Sequence, residues 1–148
     1  MEEGIKKKSR KGAEIWALKS FRDRSNRNLW RMYMNVFDDD FWKTLDSLVN
    51  DSEIVIDRPK GTTHPKYSNF IYKVDYGYLK KTSSMDGVGI DVWVGSGEKQ
   101  IDAIMCIVDL MKRDSEIKIL IGCTEEEKQL IYQTHNETQW MKGILIRR

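Results

Sequence analysis

Short apolar runs from residue 53 onward predict a set of β-strands. In these runs β-branched and aromatic residues recur between Gly, Pro, Ser, Asn and Asp, the pattern expected of strands bounded by turns. We predict five strands, within the segments 53–59, 70–79, 89–95, 101–110 and 116–122, and we consider 141–148 as a candidate last strand. So many short strands in a small segment favour a barrel or a sandwich.

Two segments beside the strands have helical spacing. In 39–49, acidic residues precede apolar residues one turn apart, and acidic residues favour a helix N-terminus. After the last predicted strand, Thr124 and Glu127 have the spacing of a capping box, so a second helix should begin there. The pattern therefore predicts an α+β fold that is mainly β, with flanking helices.

Charge divides the chain into a basic arm and an acidic body. Residues 1–35 hold ten Lys or Arg against four Asp or Glu, which leaves 15 against 19 for residues 36–148. We predict a basic helical N-terminal extension over 1–50 and a barrel domain with a C-terminal helix over 51–148. The arm could contact nucleic acid through its cations, or it could be a solvated terminus. Its aromatic residues could also dock on the body or on a second subunit, and we expect a homo-oligomer.

Length and composition indicate a water-soluble domain. The 148 residues are 40% hydrophobic, which can supply one core, and no apolar run approaches the roughly 20 residues that span a bilayer. The first residues do not resemble a secretory signal, so we expect a cytoplasmic protein. Cys106 and Cys123 lie in apolar runs, which suits reduced thiols in a core.

The stretch "SSMDGVGIDVW", residues 83–93, is the first candidate for chemistry. Asp86 and Asp91 flank two glycines and precede a β-prone run. Asp and Gly are ordinary turn residues, so spacing alone leaves both a turn and a metal site open. Mg²⁺ prefers hard oxygen ligands such as carboxylates, and two ions can lower the pKa of a shared water and hold a leaving oxygen.

Three motifs in order resemble the soluble family I inorganic pyrophosphatases. They are "VIDRPKGTTHPKY", "YKVDYGYLKKTSSMDGVGID" and "DSEIKILIG", and together they cover residues 53–122 closely. The resemblance implies a five-stranded, OB-like barrel with acidic residues at its mouth. It also implies hydrolysis of inorganic diphosphate to two phosphates by a metal-activated water, with two or more Mg²⁺ ions as cofactor and Mn²⁺ as the alternative.

The resemblance assigns roles to eight residues of this chain. It implies metal binding by Asp86, Asp91, Glu116 and Asp57. Asp91 stands where the family's carboxylate contacts two ions. It implies substrate binding by Lys66, Lys118, Tyr76 and Tyr72, and catalysis by Asp91, Asp86 and Tyr76.

The sequence also departs from the family pattern. Val88 and Gly89 stand where the family has a carboxylate and a proline, and the strand that carries the family's Asp-Arg pair is missing. The family's phosphate-binding arginine, which that strand carries, is therefore also missing. Three cations could compensate for it: Arg58, Lys60 and Lys142. The loop before Glu116 is shortened, which leaves Asp109 and Asp114 as alternatives for another metal ligand.

These departures keep a second function open. A pyrophosphatase-like barrel with weak or no turnover could serve as a phosphate-ligand or nucleic-acid binding module, with the basic arm as its contact. The missing Asp-Arg strand favours that module, whereas the four residues Asp86, Asp91, Glu116 and Lys118 favour the enzyme. His135, near a predicted helix end, needs no catalytic role.

Overall fold

A computed structural model describes residues 26–84 and 87–148. The helices are α1 (Asn26–Asn50) and α2 (Glu125–Thr134). The strands are β1 (Ile54–Arg58), β2 (Asp75–Leu79), β3 (Ile90–Val94), β4 (Ile101–Asp109), β5 (Asp114–Ile121) and β6 (Met141–Arg147). No helix in the described part of the chain is long and apolar enough to cross a membrane.

The six strands form one mixed sheet in the order β1-β2-β3-β5-β4-β6. All neighbours are antiparallel except β3 and β5, which pair in parallel from Val92 opposite Ile119 to Val94 opposite Ile121. β5 therefore lies between β3 and β4, although β4 precedes it in the chain. This arrangement brings the turn before β3 and the start of β5 toward the same part of the sheet.

The prediction of an α+β, mainly β fold is confirmed, but in place of the predicted five-stranded OB-like barrel the structure has an open sheet of six strands. The segment "MKGILIR" pairs with β4 over seven positions and adds a sixth strand. β1 and β6 end the sheet at opposite edges, so it remains open. Open edges follow because each of these two strands pairs with a single neighbour among the described residues.

The two helices differ in how well the sequence predicted them. α2 begins as expected, because the Thr124 hydroxyl accepts from the Glu127 N–H at 3.2 Å while the Glu127 carboxylate accepts from the Thr124 N–H at 2.9 Å. The helix predicted over 39–49 is wrong at its start, since α1 begins at Asn26. Residues 1–25 of the predicted arm lie outside the described residues.

Chain contacts divide the molecule after Lys43, into Met1–Lys43 and Thr44–Arg148. The sheet and α2 belong to the second unit. In the first unit, the described helix carries exposed apolar side chains, namely Met32, Met34, Val36, Phe37 and Phe41. The predicted domain boundary at residue 50 stays a prediction.

The core lies on the face of the sheet that also carries the candidate chemistry. Its buried members include the aromatic side chains of Tyr72, Tyr76 and Trp93, and Ile131 of α2 packs among them. Aliphatic residues of β4 and β5 complete the cluster, among them Ala103, Met105, Ile107 and Leu120. Cys123 is a free thiol buried in this core, as predicted, whereas Cys106 is a free thiol that is only half-buried and lies outside the core cluster.

Candidate active site

Strand register places the candidate residues on one face of the sheet. Tyr76 pairs with Arg58 on one side and with Trp93 on the other, and directly paired residues project to the same face. Asp91 lies two residues before Trp93, so it shares that face because side chains alternate along a strand. Leu120 of β5 pairs with Trp93 and therefore projects to the same face. Lys118 lies two residues before Leu120, so it also lies on that face.

Four side chains meet there and form what we call the carboxylate cluster: Tyr76, Asp91, Glu116 and Lys118. The Tyr76 hydroxyl donates to Asp91 Oδ2 at 2.5 Å, and the Lys118 ammonium donates to the same oxygen. Lys118 Nζ also lies 2.8 Å from the Tyr76 hydroxyl and 2.8 Å from Glu116 Oε1. The cluster therefore connects β2, β3 and β5 through one ammonium group.

Burial makes these contacts electrostatically strong. Lys118 is only 6% exposed, and a buried ammonium needs charge partners because leaving water is costly. Burial, followed by the negative charge of Asp91, raises the pKa of Tyr76. The Tyr76 hydroxyl therefore keeps its proton and acts as a hydrogen-bond donor.

The carboxylates of the cluster fit a hard divalent cation. Asp91 and Glu116 both approach one cationic atom, Lys118 Nζ, so their oxygens can share a positive charge. Among residues 26–84 and 87–148, no group of three or more His, Cys, Asp or Glu side chains could hold an ion. Asp86, the predicted partner ligand, lies outside the described residues.

Hydrogen bonds at the turn between β4 and β5 distinguish Asp109 from Asp114, the two alternatives for a further metal ligand. Asp109 Oδ1 accepts the backbone N–H groups of Met111 at 2.8 Å and Lys112 at 3.0 Å, so it holds the turn. Asp114 Oδ1 is buried without a hydrogen-bond partner among the described residues. The two residues pair directly and share the face of the cluster, so the oxygen without a partner makes Asp114 the better candidate.

The other predicted site residues lie around the cluster without joining it. The Tyr72 ring is buried 5.5 Å from the Tyr76 ring, centroid to centroid. Lys66 is exposed in the loop between β1 and β2, where its backbone N–H donates to His64 Nδ1 at 3.0 Å. Asp57 is exposed at the irregularity in β1, and its nearest ion-pair atom is Arg58 Nε at 3.9 Å. The structure does not bring Lys66 or Asp57 into contact with the cluster.

Of the three cations considered as compensating groups, only Arg58 lies beside the site. Its guanidinium carbon is 5.4 Å from the Tyr76 ring centroid, and its Nη1 donates to the Tyr72 hydroxyl at 2.9 Å. Lys142 lies on the opposite face, because its neighbours in β6, Met141 and Gly143, pair on the core face. Lys60 is exposed in the loop that follows β1.

A buried histidine behind the cluster was missed as part of the site. Trp93 Nε1 donates to His135 Nε2 at 3.3 Å, and His135 Nδ1 lies 3.3 Å from the Met141 sulfur. Because Nε2 accepts, Nδ1 carries the proton of the neutral ring. Burial, and then the positive charge of Lys118, lowers the pKa of His135 to about 3, so the ring is neutral at pH 7. No local signal predicts this contact, since its two residues lie 42 positions apart.

The turn before Asp91 explains one departure in the sequence. Gly89 has φ +66°, a conformation that proline cannot adopt because its ring fixes φ near −65°. A side chain there would also come within 2.9 Å of the Leu79 carbonyl oxygen. The backbone at position 89 therefore requires glycine.

Comparisons with known proteins found one family model and similar solved structures. The family model described as Inorganic Pyrophosphatase matches residues 34–147. An inorganic pyrophosphatase from Coxiella burnetii is 14% identical, with a TM-score of 0.42, over 65% of this chain and 84% of that one. A protein from Anaplasma phagocytophilum, described as an inorganic phosphatase, is 12% identical, with a TM-score of 0.39, over 68% of this chain and 80% of that one. No curated protein gave a significant match.

Proposed function

Because this chain belongs to the inorganic pyrophosphatase family, we propose that it hydrolyses inorganic diphosphate to two phosphates with Mg²⁺ as its cofactor. The observation that carries the proposal is the meeting of Asp91, Glu116, Tyr76 and Lys118 at one buried ammonium. All four residues lie within the segment that the family model matches.

The carboxylates are proposed as the metal ligands. Asp91 and Glu116 would hold an ion together with Asp86, and Asp114 is the further candidate because its buried Oδ1 lacks a partner among the described residues. Asp57, at the edge of the site, would act at greater distance. Bound Mg²⁺ supplies positive charge that favours deprotonation of water and stabilises charge on the departing phosphate.

The basic and hydroxyl groups are proposed to bind the substrate. Diphosphate carries several negative charges, and Lys118 supplies a point charge next to the carboxylates while the neutral Tyr76 hydroxyl supplies a directional donor. Arg58 adds a planar fork at the rim, and Tyr72 fixes its direction through the 2.9 Å hydrogen bond. Lys66 would approach the substrate from its exposed loop.

An assay of phosphate release from diphosphate in the presence of Mg²⁺ tests the proposal. It is carried out on the parent and on Asp91→Asn. Asn has nearly the same volume and can still accept from Tyr76, so the fold should persist, but it lacks the negative charge that Mg²⁺ needs. We expect a loss of at least about a hundredfold in turnover, or ~3 kcal/mol of transition-state stabilisation. Asp51→Asn, a change at an exposed position outside the cluster, is the matched control and should behave like the parent.

Two results would contradict the proposal. If Asp91→Asn binds Mg²⁺ in calorimetry and turns over like the parent, the stretch around residue 91 is only a turn. If the parent binds diphosphate but releases no phosphate, the chain is a binding module that has lost turnover. Assembly into a homo-oligomer and residence in the cytoplasm stay predictions, to be measured by sedimentation and by cell fractionation.

A further inference from the structure

The loop between β1 and β2 is held in a fixed shape by its own backbone. The Gly61 N–H donates to the Tyr72 carbonyl at 2.8 Å, and the Tyr72 N–H donates to the Thr62 carbonyl at 3.0 Å. The His64 N–H donates to the Phe70 carbonyl at 2.8 Å. Side chains on this loop are therefore presented at the rim of the site on an ordered support.

Aromatic rings extend from the buried site to the surface through this loop. The Tyr72 ring is nearly parallel to the His64 ring, with centroids 6.0 Å apart, and the Tyr67 ring lies 4.8 Å beyond His64. Tyr67 is 65% exposed, so one part of its ring is open to solvent. The site thus has an exposed aromatic surface on the side of Arg58, which donates to Tyr72.

Positive charge surrounds this aromatic surface. Burial lowers the pKa of His64, and the charges of Arg58, Lys66 and Lys112 lower it further, which means that these three cations lie within electrostatic reach of the ring. His64 Nδ1 also accepts from the Lys66 N–H, which fixes the plane of the ring. The outermost ring, that of Tyr67, can stack on a planar group while the cations attract attached phosphates.

We propose that the exposed ring of Tyr67, supported from behind by His64, forms a stacking site for the base of a nucleoside diphosphate whose phosphates lie at Arg58 and Lys118. The inference rests on the proposed function, because it takes the carboxylate cluster as the place where a diphosphate group binds. Inorganic diphosphate has no planar ring and would leave the Tyr67 surface unused. A nucleoside diphosphate combines the two chemistries that the rim offers, a flat ring and a chain of phosphates.

The reaction on this substrate follows the same bond changes as on inorganic diphosphate. A water oxygen bonds to the terminal phosphorus, and the bond from that phosphorus to the bridging oxygen breaks. The bridging oxygen keeps the electron pair and leaves with the nucleoside monophosphate. The protons of the water pass to the product phosphates and the solvent.

Titration calorimetry with two ligands, carried out without Mg²⁺ so that neither ligand is hydrolysed, tests the stacking site separately from turnover. The ligands are ADP and ribose 5-diphosphate, which carries the same sugar and phosphates without the base. Base stacking on an aromatic side chain predicts that the parent binds ADP at least about tenfold more tightly than ribose 5-diphosphate. Tyr67→Ala should reduce that ratio to about one, and Tyr67→Phe should retain it, because stacking needs the ring and not the hydroxyl.

Tyr132→Ala is the matched control, since Tyr132 is an exposed tyrosine on α2 outside the loop. It should leave the affinity ratio unchanged, and all variants should hydrolyse inorganic diphosphate as the parent does. A ratio near one in the parent, or a ratio that survives Tyr67→Ala, overturns the stacking site. Absence of diphosphate hydrolysis in the parent would instead overturn the proposed function, while the ratio of affinities would still decide the stacking site.

Discussion

Lys118 decides the electrostatics of the candidate site at the scale of single residues. Its ammonium donates to Asp91 and lies 2.8 Å from Glu116 Oε1, in a position that is almost excluded from water. Removing the charge would leave two carboxylates close together without a counterion, which destabilises a partly buried group strongly. A lysine at this position therefore keeps two acidic side chains together that would otherwise repel each other.

Arg58 gives a residue-scale prediction on substrate binding. Charge-assisted hydrogen bonds are worth about 1.5–3 kcal/mol, so Arg58→Met should raise KM for diphosphate roughly 10- to 100-fold. Arg58→Lys should fall between the parent and Arg58→Met, because it keeps the charge but loses the planar fork. Steady-state phosphate release measures both variants.

Lys142→Met is the control for Arg58, since Lys142 lies on the opposite face and donates to the Asn136 carbonyl at 2.8 Å. Its KM should equal that of the parent. Equal kinetics for Arg58→Met and Lys142→Met would show that Arg58 does not bind the substrate and only holds Tyr72 in place.

The sequence pointed to all four residues of the carboxylate cluster but left the position of Arg58 open. The "DYGY" and "DGVGID" motifs pointed to Tyr76 and Asp91, and the structure places them in contact at 2.5 Å. Gly77 within the first motif has a local cause, since a side chain there would meet the Val55 carbonyl oxygen of β1 at 1.8 Å. Arg58 remained one of three candidates because the irregularity in β1, which sets the face of its side chain, has no sequence signal.

At the scale of elements, the C-terminal end of α2 supports the site through a neutral histidine. His135 caps the helix and is buried against Trp93 of β3, whose ring lies 4.7 Å from the Tyr76 ring. Protonation of His135 would place a positive charge in the core beside Lys118 and remove the acceptor for the Trp93 N–H. Helix and sheet therefore stay packed only while the ring is neutral.

This contact predicts how stability depends on pH. The pKa of His135 is about 3 in the folded protein and near 6.5 in an unfolded chain, so the unfolded state binds more protons. The stabilisation is complete above the unfolded value and is lost as pH falls from there toward about 3. The positive charge of Lys118 lowers the pKa of His135, and the negative charge of Asp91 raises it.

Urea unfolding of the parent and of His135→Gln at pH 7.5 and pH 5.0 measures the effect. Gln can accept from the Trp93 N–H but does not titrate in this range. The parent should lose ~2 kcal/mol more of its unfolding free energy than His135→Gln between these two pH values. An equal loss in both proteins would show that other groups cause the acid sensitivity.

Element order and pairing were predictable only in part. Alternating runs identified the five predicted strands, and the capping box identified the start of α2, because both signals are local. The parallel pairing of β3 with β5 depends on contacts between distant segments, so no local pattern carries it. α1 starts 13 residues before the prediction, because Leu29, Trp30, Tyr33 and Phe37 continue the helical spacing ahead of the acidic residues from which the helix start was predicted.

At the scale of the whole molecule, the segment that the family model matches and the compact unit that holds the sheet start at nearby positions of the chain. The match starts at residue 34, and the unit that holds the sheet starts at Thr44. Every residue proposed to bind metal or diphosphate lies beyond position 50. The basic arm is therefore expected to be separable from hydrolysis.

Removal of residues 1–33 tests that separation. We expect the shortened chain to keep the circular dichroism of a folded sheet and to retain the parent's kcat/KM for diphosphate, because the matched segment and the whole carboxylate cluster remain. Phosphate release and sedimentation, measured on both lengths, check the result. A truncated protein that folds but loses most of its activity would show that the arm completes the site. If its sedimentation also changed from that of an oligomer to that of a single chain, the arm would complete the site of a second copy.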